Sequence, residues 1–333
     1  MSTPVLVTGG AGYIGSHTVR FLAAQGYKVV VLDNLVFGHR QAIVDDSVEL
    51  VVGDIGDKAL IADLFDRHGF AAVIHFAAYA YVGESVTNPL KYYLNNTAAP
   101  LALLEVMQEK GCKNFVFSST CATYGVPENI PIVEANPQNP INPYGRSKLM
   151  FEWILRDCDT AWGLRSVALR YFNASGSSKD GKIGEDHDPE THLIPRVLMA
   201  AAGEIEHLDV FGTDYPTPDG TCIRDYIHVD DLASAHAAAI AHLAAGGSSV
   251  ACNLGTGVGV SVKEIITAAE AVTGRPVPVK YSPRRPGDPP QLLADPAFAK
   301  QTLGWSASHT DVRDMVGSAW AWMSGPRKGH YES

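Results

Sequence analysis

The chain has 333 residues, 46% hydrophobic and 19% charged, enough apolar content for one large or two ordinary globular domains with a full core. Its net charge of −10 argues against a nucleic-acid surface, which needs a basic face. No charged-then-apolar leader opens it, no apolar run approaches the ~18 residues of a membrane span, and its five scattered cysteines form no CxxC pair, so a cytoplasmic protein with reduced thiols is expected.

Residues 4–8 read as the first strand. Thr8-Gly9-Gly10-Ala11-Gly12-Tyr13-Ile14-Gly15 comes next and opens a helix over 14–25. In that setting a GxxGxxG turn holds a dinucleotide: the glycines let backbone approach the pyrophosphate, and the helix N-terminus faces its charge. A second strand over 28–32 ends at Asp33. An acid there hydrogen-bonds both ribose hydroxyls of NAD and repels the 2′-phosphate of NADP, so NAD is the expected cofactor. Further strands are expected over 48–52, 71–76, 114–118 and 166–171, and helices over 57–68, 89–110 and 144–162. Such alternation implies right-handed crossovers and a doubly wound parallel α/β sheet, a Rossmann-like domain over 1–173.

Beyond Tyr171 the texture changes. Residues 174–192 are polar and loop-like, and 212–221 are rich in Gly, Pro, Asp and Thr. Helices return over 193–203, 230–245, 261–273 and 311–323, and a strand over 250–254 can rejoin the sheet. A smaller mixed α/β substrate lobe is therefore expected over 174–333, with segments near 225–257 returning to the first domain. His228-Val229-Asp230-Asp231 reads as a helix start capped by an aspartate. Glu185 to His192 contains metal-ligand residue types without helical or strand spacing, so it reads as a solvated acidic loop, and no metal is expected. The tail 329–333 reads as frayed.

The chemistry centres on Tyr144-Gly145-Arg146-Ser147-Lys148, a YxxxK pattern after Pro143, a natural helix start. Positions i and i+4 share a helix face, so the lysine charge sits beside the tyrosine. A free tyrosine has a pKa near ~10, and acting as a base near neutrality needs a drop of roughly 3 units. A nearby ammonium and a positive nicotinamide together supply it. Upstream, a strand ending in Ser118-Ser119-Thr120 places a hydroxyl near the reacting carbonyl. Cys121 beside it has no base, so it is not expected to be a nucleophile.

Taken together, the chain resembles the extended short-chain dehydrogenase/reductase family, and within it the UDP-glucose 4-epimerase group. The blocks that carry the likeness are Thr8 to Gly15, Phe76-Ala77-Ala78, Ser118 to Gly125, Pro143 to Lys148, Arg170-Tyr171-Phe172-Asn173, Gly220 to Val229, Asn253 to Gly257 and Pro283 to Asp288. The resemblance implies Thr120 as hydroxyl donor, Tyr144 as base and Lys148 as its partner. It implies NAD contacts at Gly9, Gly12, Tyr13, Ile14, Gly15, Asp33, Asn34, Asp54, Ile55, Phe76, Ala77, Ala78, Asn95, Ser118 and Tyr171, with Tyr144 and Lys148. Substrate contacts fall on Phe172, Asn173, Phe211, Arg224, Arg285, Asp288 and Leu292, with Thr120 and Tyr144. Arg224 and Arg285 are forks suited to a diphosphate, and Asp288 to a sugar hydroxyl.

Two departures from the group's pattern stand out. Ala80 occupies a position where many members carry a lysine, and Leu292 one where bacterial members often carry a tyrosine that narrows the sugar pocket. Related 4,6-dehydratases place an Asp-Glu pair after the threonine, whereas this chain has Cys121 and Ala122. Without that pair, a 4-keto sugar has no assisted exit and takes its hydride back on the other face. The implied reaction is UDP-sugar 4-epimerisation, UDP-glucose/UDP-galactose first, with UDP-xylose/UDP-arabinose as an alternative. A net NAD-dependent oxidoreductase and an NAD-sensing regulator are the readings from other classes. The family also implies a homodimer through helices 89–110 and 144–162, with Leu101, Leu104, Met150 and Ile154 at the contact.

Overall fold

The computed structural model describes residues 3–285 and 288–331. The first half runs β1 (Pro4–Thr8), α1 (Tyr13–Ala24), β2 (Lys28–Asp33), β3 (Glu49–Val52), α2 (Lys58–His68), β4 (Ala72–His75), α3 (Val82–Thr87), α4 (Pro89–Tyr93), α5 (Leu101–Lys110), β5 (Asn114–Thr120), α6 (Pro143–Trp162) and β6 (Arg165–Tyr171). The second half adds β7 (Asn173–Ser175), α7 (Leu193–Ala202), β8 (Leu208–Phe211), β9 (Ile223–His228), α8 (Val229–Ala244) and β10 (Val250–Leu254). It closes with β11 (Gly259–Ser261), α9 (Val262–Thr273), β12 (Val279–Ser282), β13 (Gln291–Leu292), α10 (Ala297–Leu303) and α11 (Val312–Ser324).

Seven strands form one parallel sheet in the order β10-β6-β5-β4-β1-β2-β3. Strands buried on both faces need apolar residues at every position, and Val5-Leu6-Val7 and Val29-Val30-Val31-Leu32 supply them. Alternate residues serve opposite cores. Val5 and Val7 pack with Leu22 of α1 and Leu232 and Ile240 of α8. Leu6 packs on the other face with Leu64 of α2, Met107 of α5 and Phe151 of α6. The strand order reverses between β1 and β4, and the loops leaving their C-terminal ends open a crevice there, where doubly wound sheets bind ligands.

A third core joins α7, α9 and α11 to β8 and β9. A smaller sheet pairs β9 with β7, β11 and β13, and β8 pairs with β12. The chain returns to the large sheet through α8 and β10, which pairs in parallel with β6. Ala299 of α10 and Trp305 also pack on that side.

Three expectations change. The span 89–110 is not one helix: α4 passes into a π-helical turn, Leu94–Ala98, and α5 begins after Pro100. Proline has no N–H to donate and crowds the preceding turn, so the ladder breaks there. Leu104 consequently belongs to the buried core rather than to a surface. The tail is docked as far as Tyr331, whose ring lies 4.9 Å from Trp322 and from His39 and whose hydroxyl accepts from Gly184 N–H at 3.0 Å. Finally, α8 is capped by His228, whose Nδ1 accepts from Asp230 N–H at 3.1 Å, while the Asp230 carboxylate bonds His17 at 2.7 Å. The short strands β7, β8, β9, β11, β12 and β13 and the helices α3 and α10 escape sequence reading because two to seven residues show no period.

Candidate active site

The crevice between β1 and β4 is a cleft of about 410 Å³. Its floor is the glycine turn. Gly9 has φ +71, and a Cβ there would lie 2.5 Å from Ala77 N; a Cβ on Gly15 would lie 2.2 Å from Gly9 O. Both glycines are therefore fixed by close backbone approach. A Cβ on Gly12 would meet nothing nearer than Gly9 O at 3.5 Å, so its open side leaves the start of α1 bare to the cleft. Tyr13 donates to Gly176 O at 2.6 Å and ties this turn to the segment after β7.

Asp33 ends β2 beside the turn. Its carboxylate accepts from Ala11 N–H at 2.9 Å and Leu35 N–H at 2.8 Å. Burial pushes its pKa up, and those two N–H groups oppose the push. Tyr13, Ile14, Asn34, Ile55, Phe76, Ala77, Ala78, Asn95, Ser118 and Tyr171 line the same cleft. Asp54 lies just behind the lining, accepting from Asn34 Nδ2 at 3.2 Å and Gly56 N–H at 2.8 Å. The π-helical turn has a use here: Asn95 lines the cleft, while Asn96 exchanges two 2.9 Å hydrogen bonds with the Tyr79 backbone. Ala80 is in the wall, and Lys91, whose Nζ sits 4.1 Å from the Tyr79 ring centre, is held by Glu84 at 2.6 Å. The Tyr81 hydroxyl is buried in this wall without a hydrogen-bond partner among the described residues. The bare helix start, the placed acid and the orphaned hydroxyl all fit NAD.

At the far end β5 meets α6. Asn142 caps α6 by accepting from Gly145 N–H at 2.8 Å. A Cβ on Gly145 would lie 2.5 Å from Ala122 O, so glycine lets the first turn press against the turn after β5. Tyr144 and Lys148 are thereby brought against Ser118 and Thr120. Lys148 Nζ donates to Ser118 O at 2.8 Å and sits 4.9 Å from the Phe117 ring centre. Ser118 Oγ shares a 2.6 Å hydrogen bond with the Tyr171 hydroxyl. Burial raises the Tyr144 pKa well above its ordinary value, and a hydrogen bond to Thr120 pulls the other way. Burial lowers Lys148 to about 7, opposed by Glu152. In the protein alone, desolvation thus outweighs the expected lysine effect, and Tyr144 is a neutral phenol.

The expected substrate residues fall in two places. Phe172 and Asn173 line the cleft, and Asn173 Nδ2 donates to Asp225 O at 2.8 Å. Leu292 packs with Phe172, Cys121 and Tyr124, opposite Arg224 in register. Phe211, Arg224, Arg285 and Asp288 lie beyond the cleft's described lining. Arg285 stacks over Phe211 at 3.9 Å, and Arg224 is ion-paired with Asp288. Pro286 and Gly287 of that block are outside the described residues.

The segment 185–192 is solvated only in part: Asp188, Pro189, Thr191 and His192 are exposed. Glu185 and Glu190 have side chains only 7% and 10% exposed, and Glu185, His187 and His192 line the cleft. Glu185 accepts from His192 Nδ1 at 2.6 Å and His187 Nδ1 at 3.1 Å. Burial pushes both groups toward their neutral forms, but the histidines outweigh it and hold Glu185 well below the ordinary carboxylate range, and the two glutamates raise His192 above the ordinary imidazole value. Ligand-type atoms of Glu185, His187, Glu190 and His192 lie within 4.8 Å of one another. Two ligands on one tetrahedral zinc at ~2.0–2.1 Å sit about 3.3 Å apart; the 2.6 Å contact is a charge-assisted hydrogen bond instead. Irregular spacing hid these residues. Phe37, Tyr79 and Tyr81, also in the wall, carried no signal either.

Among the described residues no helix is long and apolar enough to cross a membrane. The chain is 52% identical to a UDP-glucose 4-epimerase of Halalkalibacterium halodurans, over 96% of this chain and 95% of that protein. A crystal structure of UDP-glucose 4-epimerase from Brucella ovis in complex with NAD matches with a TM-score of 0.94 and 54% identity, covering 96% of this chain and 98% of that one. The Bifidobacterium longum UDP-glucose 4-epimerase in complex with NAD+ and UDP matches at 0.91 and 42%, covering 98% and 100%. Residues 5–255, from β1 through β10, match the NAD dependent epimerase/dehydratase family, and the chain belongs to that family.

Proposed function

We propose that this protein is an NAD-dependent UDP-sugar 4-epimerase that interconverts UDP-glucose and UDP-galactose. The carrying observation is the pair of residues after Thr120. Cys121 is pushed up to about 12 by burial and Ala122 is inert, so the two positions after Thr120 supply no acid–base pair to drive elimination. Bound NAD supplies the acceptor, and then the donor, of a hydride at carbon 4. Tyr144 takes the carbon-4 hydroxyl proton with Thr120 aligning the oxygen, and returns it to the 4-keto oxygen in the second half. Its burial as a neutral phenol suits that return. Forming the phenolate requires cationic neighbours, and Lys148, on the same face of α6, is the protein's own. Phe172 and Cys121, with Leu292 packed against them, offer an apolar wall against which the keto sugar can turn.

Incubation with UDP-glucose and no added NAD, followed by chromatography, is expected to give UDP-galactose at constant NADH. Stoichiometric NADH release would favour a net oxidoreductase instead. The same reading includes a homodimer. Leu90 and Leu94 are 70% and 65% exposed, and Trp153 on α6 is 50% exposed, as an apolar two-fold contact between the α4–α5 and α6 faces requires.

A further inference from the structure

The ridge of α6 that carries Tyr144 and Lys148 continues to Glu152, at positions i, i+4 and i+8, about 6 Å apart along the helix. Each meets one of the last three residues of β5. Tyr144 bonds Thr120, Lys148 bonds the Ser118 carbonyl, and Glu152 Oε1 accepts from Ser119 Oγ at 2.6 Å. Arg170 of β6 holds the carboxylate with a fork, Nε to Oε1 at 3.0 Å and Nη2 to Oε2 at 2.6 Å, and Gln138 donates to Oε2 at 3.2 Å. Arg170 Nη1 also donates to the Tyr124 hydroxyl at 2.8 Å, which donates to Asn253 Oδ1 of β10 at 2.8 Å. Glu152, Arg170, Ser119, Tyr124 and Asn253 are all buried.

We propose that Glu152, clamped by Arg170, is a positioning residue for the reaction. It locks α6 in register against the end of β5 and keeps the Lys148 side chain as an ammonium beside Tyr144. This role rests on the epimerase reading. A well-packed apolar pair can stabilise a core as effectively as a buried ion pair. What such a pair lacks is direction, set here by four hydrogen bonds to one carboxylate, and charge.

The titratable groups around Lys148 make the charge matter. Tyr144 on its own helix is neutral. His75 of β4 is pushed down to about 3 by burial, with the Lys148 charge adding to that. Tyr171 of β6, on Ser118, is pushed up to about 12, and Tyr92 of α4 is tied to Glu84. Arg170 lies behind Glu152. Glu152 is the anion of this set that raises Lys148.

The test labels lysine with ¹³C at Cε in the NAD-bound enzyme and tracks Lys148, assigned through Lys148→Arg, by NMR across pH. Glu152→Gln is expected to move the Lys148 midpoint to lower pH and the alkaline limb of kcat in the same direction. It should lower kcat about 10²-fold, as misplacement of a reacting group does, with the UDP-sugar KM within about threefold. Glu152→Met/Arg170→Met removes both charges, keeps the core filled and is expected to show the same two shifts, which covers the case in which Glu152→Gln alone fails to fold. An unchanged midpoint in a folded variant, native kcat, or lost kcat with an unmoved alkaline limb would overturn the proposal. If the native enzyme fails to interconvert UDP-sugars, the reaction assignment falls, while the NMR titration still decides the role of Glu152.

Discussion

Tyr144→Phe removes one oxygen and leaves the ring that fills its place between α6 and the turn after β5. The lost protein contact is a neutral hydrogen bond to Thr120. Such a bond contributes about 0.5–1.5 kcal/mol net, so stability is expected to fall by no more than that. The catalytic loss is larger. Acid–base catalysis typically contributes about 10²–10⁴-fold, which at about 1.36 kcal/mol per decade is about 2.7–5.4 kcal/mol of barrier. Folding and turnover therefore separate cleanly. Initial rates with UDP-glucose, NAD content by extraction and absorbance, and a calorimetric melt should show a folded, NAD-loaded, UDP-sugar-binding protein with turnover down at least a hundredfold. Turnover within tenfold of native would refute the assignment of Tyr144. So would a loss of NAD binding that accounts for the whole effect.

The Glu185–His192 pair should make stability depend on pH. The raised His192 contributes fully below about pH 6.5 and loses its contribution as pH rises toward about 10; the depressed Glu185 contributes above about 4.5 and loses it as pH falls toward about 2. His192→Asn is accordingly expected to lower the melting temperature most near pH 5–6 and to converge with native near pH 10; a constant offset would contradict the pairing. Trp153→Asp should convert a dimer seen by light scattering at micromolar concentration into monomer, and a native protein that is already monomeric would remove that contact from the proposal. We propose that Leu292, packed beside Phe172 and shorter than a tyrosine, gates the 2-position of the sugar. The native enzyme is expected to epimerise UDP-N-acetylglucosamine and Leu292→Tyr to lose that activity selectively, whereas equal use by both would place the gate elsewhere.

Much of the cofactor half is legible because its signals are local. Strands buried on both faces read as unbroken apolar runs, and Thr8 to Gly15 announces strand, turn and helix within eight residues. The YxxxK spacing puts Tyr144 and Lys148 on one face by helical geometry alone. The second half is harder. Its strands are two to six residues long, and β9 gains partners from β7, β11 and β13, distant in the chain, so no window of sequence contains the pattern.

By itself, then, the sequence determined the parallel sheet, the glycine turn with Asp33, and the Tyr144–Lys148 face beside Thr120, because each arises from spacing within one or two elements. Only the tertiary structure decided the charges. Arg224 finds Asp288, Glu185 finds His187 and His192 at the cleft, and Glu152 finds Arg170 beneath the Tyr144–Lys148 ridge. In the protein alone, burial keeps Tyr144 a neutral phenol, a balance that the spacing does not reveal. A pKa is set by how much water and which charges surround a group. Those surroundings are assembled from segments up to tens of residues apart, so they exist only once the chain has folded.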